Sequence, residues 1–397
     1  MSSLRTLDGV EVRGKCVLIR CDFNVPVENG RVVDATRIKR SVPTILEIAG
    51  NGGKAILLSH FGRPEGRDLK DSLRPIVPAI AEALDRRVAF AEDCIGEQAL
   101  SAVNAMGAGD VLCLENTRFH KGEERNDPDF VAQLAALGDI FVNDAFSASH
   151  RAHASVEGLG HRLPAYAGRA LQEEVEALTR ILDAPARPLA AIVGGAKIST
   201  KLDLLGNLVD KVDTLMIGGG MANTFLAAVG KPVGKSLCEN DLLASAREIL
   251  ARAERERREI VLPVDVVVAA DLKANASSRE VTADDVRSTD MILDIGRRSI
   301  EQACSVLARA RTLVWNGPFG AFEIEPFDNG TVEVAEAAAE LSSAGKLVSV
   351  AGGGDTIAAL NAAGVADRFT YVSTAGGAFL EWLEGKTLPG VEILKMK

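Results

Sequence analysis

Two glycine-rich segments late in the chain have the residue types of an anion cradle. Trp315-Asn-Gly-Pro-Phe-Gly-Ala-Phe-Glu323 and Ala351-Gly-Gly-Gly-Asp-Thr356 each follow an apolar run of strand length, residues 312–315 and 346–350. A helix-forming run, residues 357–363, comes after the second. A strand that feeds a glycine turn and then a helix leaves several backbone N–H groups pointing one way. With the positive end of the helix dipole, those groups suit phosphate. Glycine lets the backbone approach the anion and permits φ > 0. Asp355 is then a helix cap, a metal ligand beside phosphates, or both. The chemistry indicated is nucleotide binding.

Cationic residues cluster after strands in the first part of the chain. Arg20-Cys-Asp-Phe-Asn-Val-Pro26 puts Asp22, Phe23 and Asn24 at a strand end, and Arg37 opens the next helix. Ser59-His-Phe-Gly-Arg-Pro64 supplies His60, Phe61, Gly62 and Arg63. Glu115-Asn-Thr-Arg-Phe-His120 supplies Arg118, and Asn143-Asp-Ala-Phe-Ser-Ala-Ser-His-Arg-Ala-His153 supplies His150, Arg151 and His153. A lone arginine after a strand is ordinarily a solvated charge. Four strand ends that bring Arg or His to one rim instead indicate a held phosphate or carboxylate.

The second half repeats the glycine design. Val193-Gly-Gly-Ala-Lys-Ile-Ser-Thr-Lys201 follows a strand and reads as the start of a helix, with Lys197 and Lys201 four apart on one helical face. Its glycines, Gly195 among them, read as a phosphate cradle with a lysine reaching in. Ile217-Gly-Gly-Gly-Met-Ala-Asn-Thr224, with Gly219, would give a flat backbone wall for a purine base. Gly230-Lys-Pro-Val-Gly-Lys-Ser236 imitates a P-loop but is one residue short and follows a helical run. No GxGxxG opens the first βα unit, and the histidines show neither HExxH spacing nor cysteine companions, which argues against zinc.

The elements that must position these groups alternate throughout. Strand-length apolar runs fall at residues 17–20, 55–58, 88–90, 111–114 and 140–142, then at 189–193, 214–217, 260–262, 265–268, 291–293, 312–315, 347–350 and 371–373. Helical stretches such as 36–50, 75–85, 130–137 and 241–258 separate them. Continuous apolar strands indicate parallel sheets covered on both faces. The fold class is therefore α/β, with two doubly wound, Rossmann-like parallel-sheet domains. The boundary is expected near residue 170, giving domains 1–170 and 171–384. Leu171, Val175, Leu178 and Leu182 form one helical stripe, stopped by Asp183-Ala-Pro185, so residues 165–185 read as a hinge helix. Residues 385–397 lack a helical period and are candidates to pack back on the first domain.

The chain has 397 residues, with 47% hydrophobic and 25% charged. Its net charge of −10 argues against nucleic acid; residues 1–170 carry −2 of it and the remainder −8. No apolar run reaches membrane-spanning length, residues 1–15 carry charges where a signal peptide would be apolar, and six cysteines form no CxxC. These features predict a cytoplasmic protein with free thiols and no membrane partner.

Taken together, these segments closely resemble phosphoglycerate kinase, over essentially the whole chain. The further matches are Val142-Asn-Asp-Ala-Phe, His150-Arg-Ala-His, Gly218-Gly-Gly-Met-Ala and Ser373-Thr-Ala-Gly-Gly-Ala, which contains Gly376. The resemblance implies a monomer that moves a phosphoryl group between 1,3-bisphosphoglycerate and ADP, with magnesium, after domain closure. It implies that Asp22, Phe23, Asn24, Arg37, His60, Phe61, Gly62, Arg63, Arg118 and Arg151 hold the glycerate. It likewise gives the nucleotide to Gly195, Lys197, Lys201, Gly219, Asn316, Glu323, Gly353, Gly354, Asp355 and Thr356, with Asp355 reaching the metal. Arg37, Lys201, Gly353 and Gly376 would act on the transferred group. Three departures stand out: Gly168-Arg-Ala-Leu171 where a more apolar run is expected, Ala375 for a glycine, and Ser147-Ala-Ser149 for Gly-Thr-Ala. A nicotinamide dehydrogenase would need GxGxxG. A non-catalytic nucleotide module would lack Arg37, Lys201 or Asp355.

Overall fold

The computed structural model describes residues 4–182 and 185–396, with the backbone alone for residues 181 and 182. The chain divides into two compact units, residues 1–176 with 387–397, and residues 177–386. The division thus falls inside the helix Arg169–Leu182 and not at its start.

In the first unit six parallel strands run in the order Val88–Ala91, Val111–Leu114, Lys54–Leu58, Cys16–Arg20, Ile140–Asn143 and Ala165–Ala167. Val17, Leu18 and Ile19 are all fully buried, because helices cover both faces of the sheet. The chain builds outward from Cys16–Arg20 on one side, then crosses to Ile140–Asn143 on the other. That reversal opens a crevice at the carboxyl ends of these two strands. The helix Thr36–Gly50 buries Ile38, Ile45, Ile48 and Ala49 against the sheet. The last residues belong here too: Gly390 N–H donates to Ser149 O at 2.9 Å, and Asn143 Nδ2 donates to Gly390 O at 2.9 Å.

The second unit repeats the plan with Glu259–Val261, Thr214–Ile217, Leu189–Val193, Thr312–Asn316, Val348–Gly352 and Tyr371–Ser373, all parallel. Its reversal lies between Leu189–Val193 and Thr312–Asn316. Trp315 is buried at its centre beside Phe319 and Phe369.

Two expectations are corrected, and one departure is explained. Residues 265–269 and 291–295 are not in the parallel sheet; they join Ser278–Thr282 in a separate antiparallel sheet, whose outer strand is too polar to read from apolar runs. Residues 165–167 form an edge strand, and the helix begins only at Arg169. Gly168 makes that turn: a Cβ there would lie 2.2 Å from the Asp144 carboxylate. Leu171, Val175 and Leu178 are buried as their spacing predicts, and Leu171→Ala would cost about 2–5 kcal/mol. The Leu182 side chain and the stop at Asp183-Ala184 lie outside the described residues. Finally, Arg169 breaks the apolar pattern for a reason. Its guanidinium makes two bonds of 2.7 Å to Glu47 and one of 2.8 Å to Asp8.

Candidate active site

In the first unit the strand ends converge as the motifs suggest. Asp22 accepts from Arg37 at 2.9 Å and from Ser147 Oγ at 2.6 Å. Arg37 also donates to Asn24 O at 3.1 Å, and Asn24 Oδ1 accepts the Gly62 N–H at 3.0 Å. Phe23 is buried, and its N–H donates to Ser59 Oγ at 2.9 Å. Phe61 is pinned at both backbone groups by Asn116, and Arg118 donates to Gly62 O at 2.6 Å. One hydrogen-bonded web therefore joins Asp22, Asn24, Arg37, Phe61, Gly62 and Arg118. Arg63 stands apart, exposed and without an ion pair among the described residues.

Arg20 is a participant that is not among the candidates read from the sequence. Arg20 is fully buried, 3.0 Å from His60 Nδ1. A charge inside the otherwise apolar run Cys-Val-Leu-Ile-Arg20 was the available signal. Arg151 Nε donates to His150 Nε2 at 3.0 Å. Burial, reinforced by Arg20, Arg118 and Arg151, holds His60 well below its usual pKa and His153 down to about 4. The rim is thus charged by arginines, with its histidines neutral at pH 7. Such a concentration of guanidinium groups suits a doubly charged anion.

In the second unit Lys201 donates to Gly194 O at 2.5 Å and to Asn316 Oδ1 at 2.6 Å. Asn316 Nδ2 donates to Gly352 O at 2.7 Å, while Thr356 Oγ1 accepts the Gly317 N–H at 2.7 Å. These bonds tie the loops after three adjacent strands into one cradle. Burial pulls the Lys201 pKa down to about 8, against a smaller upward pull from Asp355. Glycine is required here: Gly353 has φ +98°, and a Cβ on it would meet Asn316 Nδ2 at 2.6 Å. A Cβ on Gly219 would lie 2.6 Å from the Gly195 backbone. A cavity of about 290 Å³ adjoins, lined by Gly195, Gly219, Asp294, Phe319, Glu323 and Asp355 among others. Glu323 and Asp355 are exposed at its edge.

Two readings of this cradle change. Lys197 and Lys201 do not share a helical face, because residues 198–200 form a 3-10 turn and the α-helix starts at Leu202. Lys201 precedes it with φ −136° and ψ 15°, while Lys197 is extended and exposed. Asp355 does not cap its helix; it sits in the first turn, and Gly353 takes the cap position. That leaves its carboxylate free for a cation. Gly376, with φ +54°, opens the helix after the neighbouring edge strand. Ala375 needs no glycine, since only its successor has positive φ.

His120 does have a cysteine nearby, which spacing concealed. Asp93, Cys94 and His120 bring one ligand atom each within 4.8 Å. Asp93 is already engaged by His120 at 2.7 Å and Arg67 at 2.8 Å, and burial pushes the Cys94 thiol well up.

A phosphoglycerate kinase family model matches residues 7–386. The chain belongs to the phosphoglycerate kinase family. A phosphoglycerate kinase of Rhodopseudomonas palustris is 62% identical over 395 residues, spanning 100% of this chain and 99% of its own. One from Methylorubrum extorquens is 64% identical over 397 residues, with 100% and 99% spanned. The structure of the Coxiella burnetii phosphoglycerate kinase superposes with a TM-score of 0.92 at 42% identity, covering 99% of each chain. Membership at this level makes the chain an enzyme, a kinase built on two parallel-sheet α/β units. No helix among the described residues is long and apolar enough to cross a membrane.

Proposed function

We propose that this enzyme catalyses reversible phosphoryl transfer between 1,3-bisphosphoglycerate and ADP, the glycolytic step that gives 3-phosphoglycerate and ATP. The observation that carries this reading is a pair of unlike cradles in one chain of this family. An arginine rim lies at the reversal of the first sheet, and a glycine–lysine cradle lies at that of the second. Asp22, Phe23, Asn24 and Arg37 would hold the glycerate, with Arg37 nearest its reacting end. His60, Phe61, Gly62, Arg63, Arg118 and Arg151 would enclose its other phosphate. Gly195 and Gly219 would border the base and Glu323 the ribose. Lys197, Lys201, Asn316, Gly353, Gly354, Asp355 and Thr356 would take the phosphates, and Gly376 would lie beside the transferred group.

Asp355 suits magnesium. It is an exposed carboxylate in a helix's first turn, and magnesium needs few protein ligands when phosphates and water complete its shell. Bound there with the nucleotide, the ion would offset phosphate charge. The attacking group, a phosphate oxygen or a carboxylate, is already anionic, so no general base is required. What the protein supplies is in-line positioning and neutralisation of the transferred oxygens by Arg37, Lys201 and backbone N–H groups. An acyl phosphate is open to hydrolysis, so we assign each substrate to its own unit, with the reacting groups meeting only when both are bound. We place the enzyme in the cytoplasm as a monomer, in keeping with its six unpaired cysteines.

The test is a coupled assay with glyceraldehyde-3-phosphate dehydrogenase. NADH should be consumed only when 3-phosphoglycerate and MgATP are both present. Consumption that ignores 3-phosphoglycerate would reject the reading.

A further inference from the structure

A line of polar groups, buried at Glu123, Ser155 and Arg20, runs behind the rim to His60, and of these the transfer chemistry above uses His60 alone. Glu123 is fully buried and accepts two bonds from Ser155, one from its backbone N–H at 3.0 Å and one from its Oγ at 2.5 Å. Ser155 Oγ accepts from Arg20 Nε at 2.9 Å. One terminal nitrogen of Arg20 donates to Cys21 O, and the other lies 3.0 Å from His60 Nδ1. Every direction in this line is forced. Arginine has donors only, so Ser155 Oγ must accept from it and spend its single proton on Glu123. By the same rule His60 Nδ1 must accept, which leaves the ring proton on Nε2. Nε2 has no partner among the described residues.

A guanidinium that is 1% exposed needs a counter-charge to stay in place. Glu123 gives the largest favourable charge effect on Arg20, followed by Asp22. We propose that Glu123 is a positioning residue which, through Ser155 and Arg20, holds His60 as a neutral imidazole whose Nε2–H donates to the phosphate of the substrate. The naming of that phosphate rests on the phosphoglycerate reading; the lock itself does not. The groups facing His60 act in the same sense. Arg20, Arg118, Arg151 and His153 surround it, and with burial they oppose a second proton on the ring. The site then meets its anion with fixed arginine charge plus one oriented neutral donor. A histidine that titrates on binding is not needed.

Ring-nitrogen NMR on the unliganded full-length enzyme, with His60→Gln to assign the signals, reads the lock directly. The expected result is the Nε2–H tautomer throughout about pH 6–8. Glu123→Gln keeps the shape and removes the charge; Ser155→Ala cuts the line at its middle. Either should give mixed tautomers and raise the 3-phosphoglycerate KM about tenfold, the scale of one charge-assisted hydrogen bond. The nucleotide KM should stay within about twofold, because that cradle is untouched. An Nδ1–H or doubly protonated His60 in the wild type overturns the lock, even if neither variant folds. So does a wild-type spectrum in both variants. A wild type that turns over without 3-phosphoglycerate removes the phosphate assignment, while the unliganded spectrum still decides the lock.

Discussion

At the scale of single residues, Arg37 and Lys201 are cations in opposite settings. Arg37 has a side chain 36% exposed and is shared between Asp22 and Asn24 O. Its ion pair is worth about 0–1 kcal/mol to folding. Arg37→Ala should therefore melt near the wild-type temperature yet lose about 10²–10³-fold in kcat, the usual cost of one transition-state charge partner. Steady-state kinetics checks this; an unchanged kcat with a raised 3-phosphoglycerate KM would make Arg37 a ground-state binder. Lys201 is instead half-buried with no ion pair among the described residues, and desolvation lowers its pKa to about 8. As pH rises through that value its charge is lost, so the KM for nucleotide should climb above about pH 8. The effect on folding has the opposite sense. Because the unfolded lysine keeps its proton to about 10.4, Lys201 adds stability that is complete above that value and disappears as pH falls through 8. Melting curves of Lys201→Met should lack that rise between about pH 8 and 10.

At the scale of elements, each strand-to-helix turn carries its own ligand groups, so damage should stay local. Gly353→Ala forces a side chain into φ +98° and onto Asn316, a strain of about 1–3 kcal/mol. It should lower the melting temperature and weaken nucleotide binding, leaving 3-phosphoglycerate binding without nucleotide intact. Lys201→Ala and Arg63→Ala extend the comparison. The first should weaken nucleotide alone; the second, at an exposed side chain with no ion pair among the described residues, should weaken 3-phosphoglycerate alone at no cost in stability. Calorimetric titration of each variant with each ligand decides, and equal losses for both ligands would refute separate sites.

For the whole molecule, direct transfer requires reacting atoms about 3–3.5 Å apart. If each unit binds one substrate, neither ligand alone supplies contacts that favour bringing the units together, and only the pair does. Solution scattering should show its greatest compaction with 3-phosphoglycerate and MgATP together. A radius of gyration indifferent to both, in a sample proven active, would exclude closure.

The sequence by itself determined the parallel sheets, since strands buried on both faces must be continuously apolar, and the bounds of Val111–Leu114 and Leu189–Val193 follow from that rule. It also determined which turns carry glycine and which carry arginine, because each type is ordinary at one strand end and only its recurrence at several ends of the same sheet marks a site. The polar strand Ser278–Thr282 and the edge strand Ala165–Ala167 escaped, because partners outside the local run decide them. Lys201 was legible as a cation but not in its orientation, which a 3-10 turn and the Asn316 carbonyls set. Arg20 looked like the polar end of a strand. Only the tertiary structure shows it buried between Ser155, 135 residues away, and His60, because hydrogen bonds over such separations leave no period in a sequence.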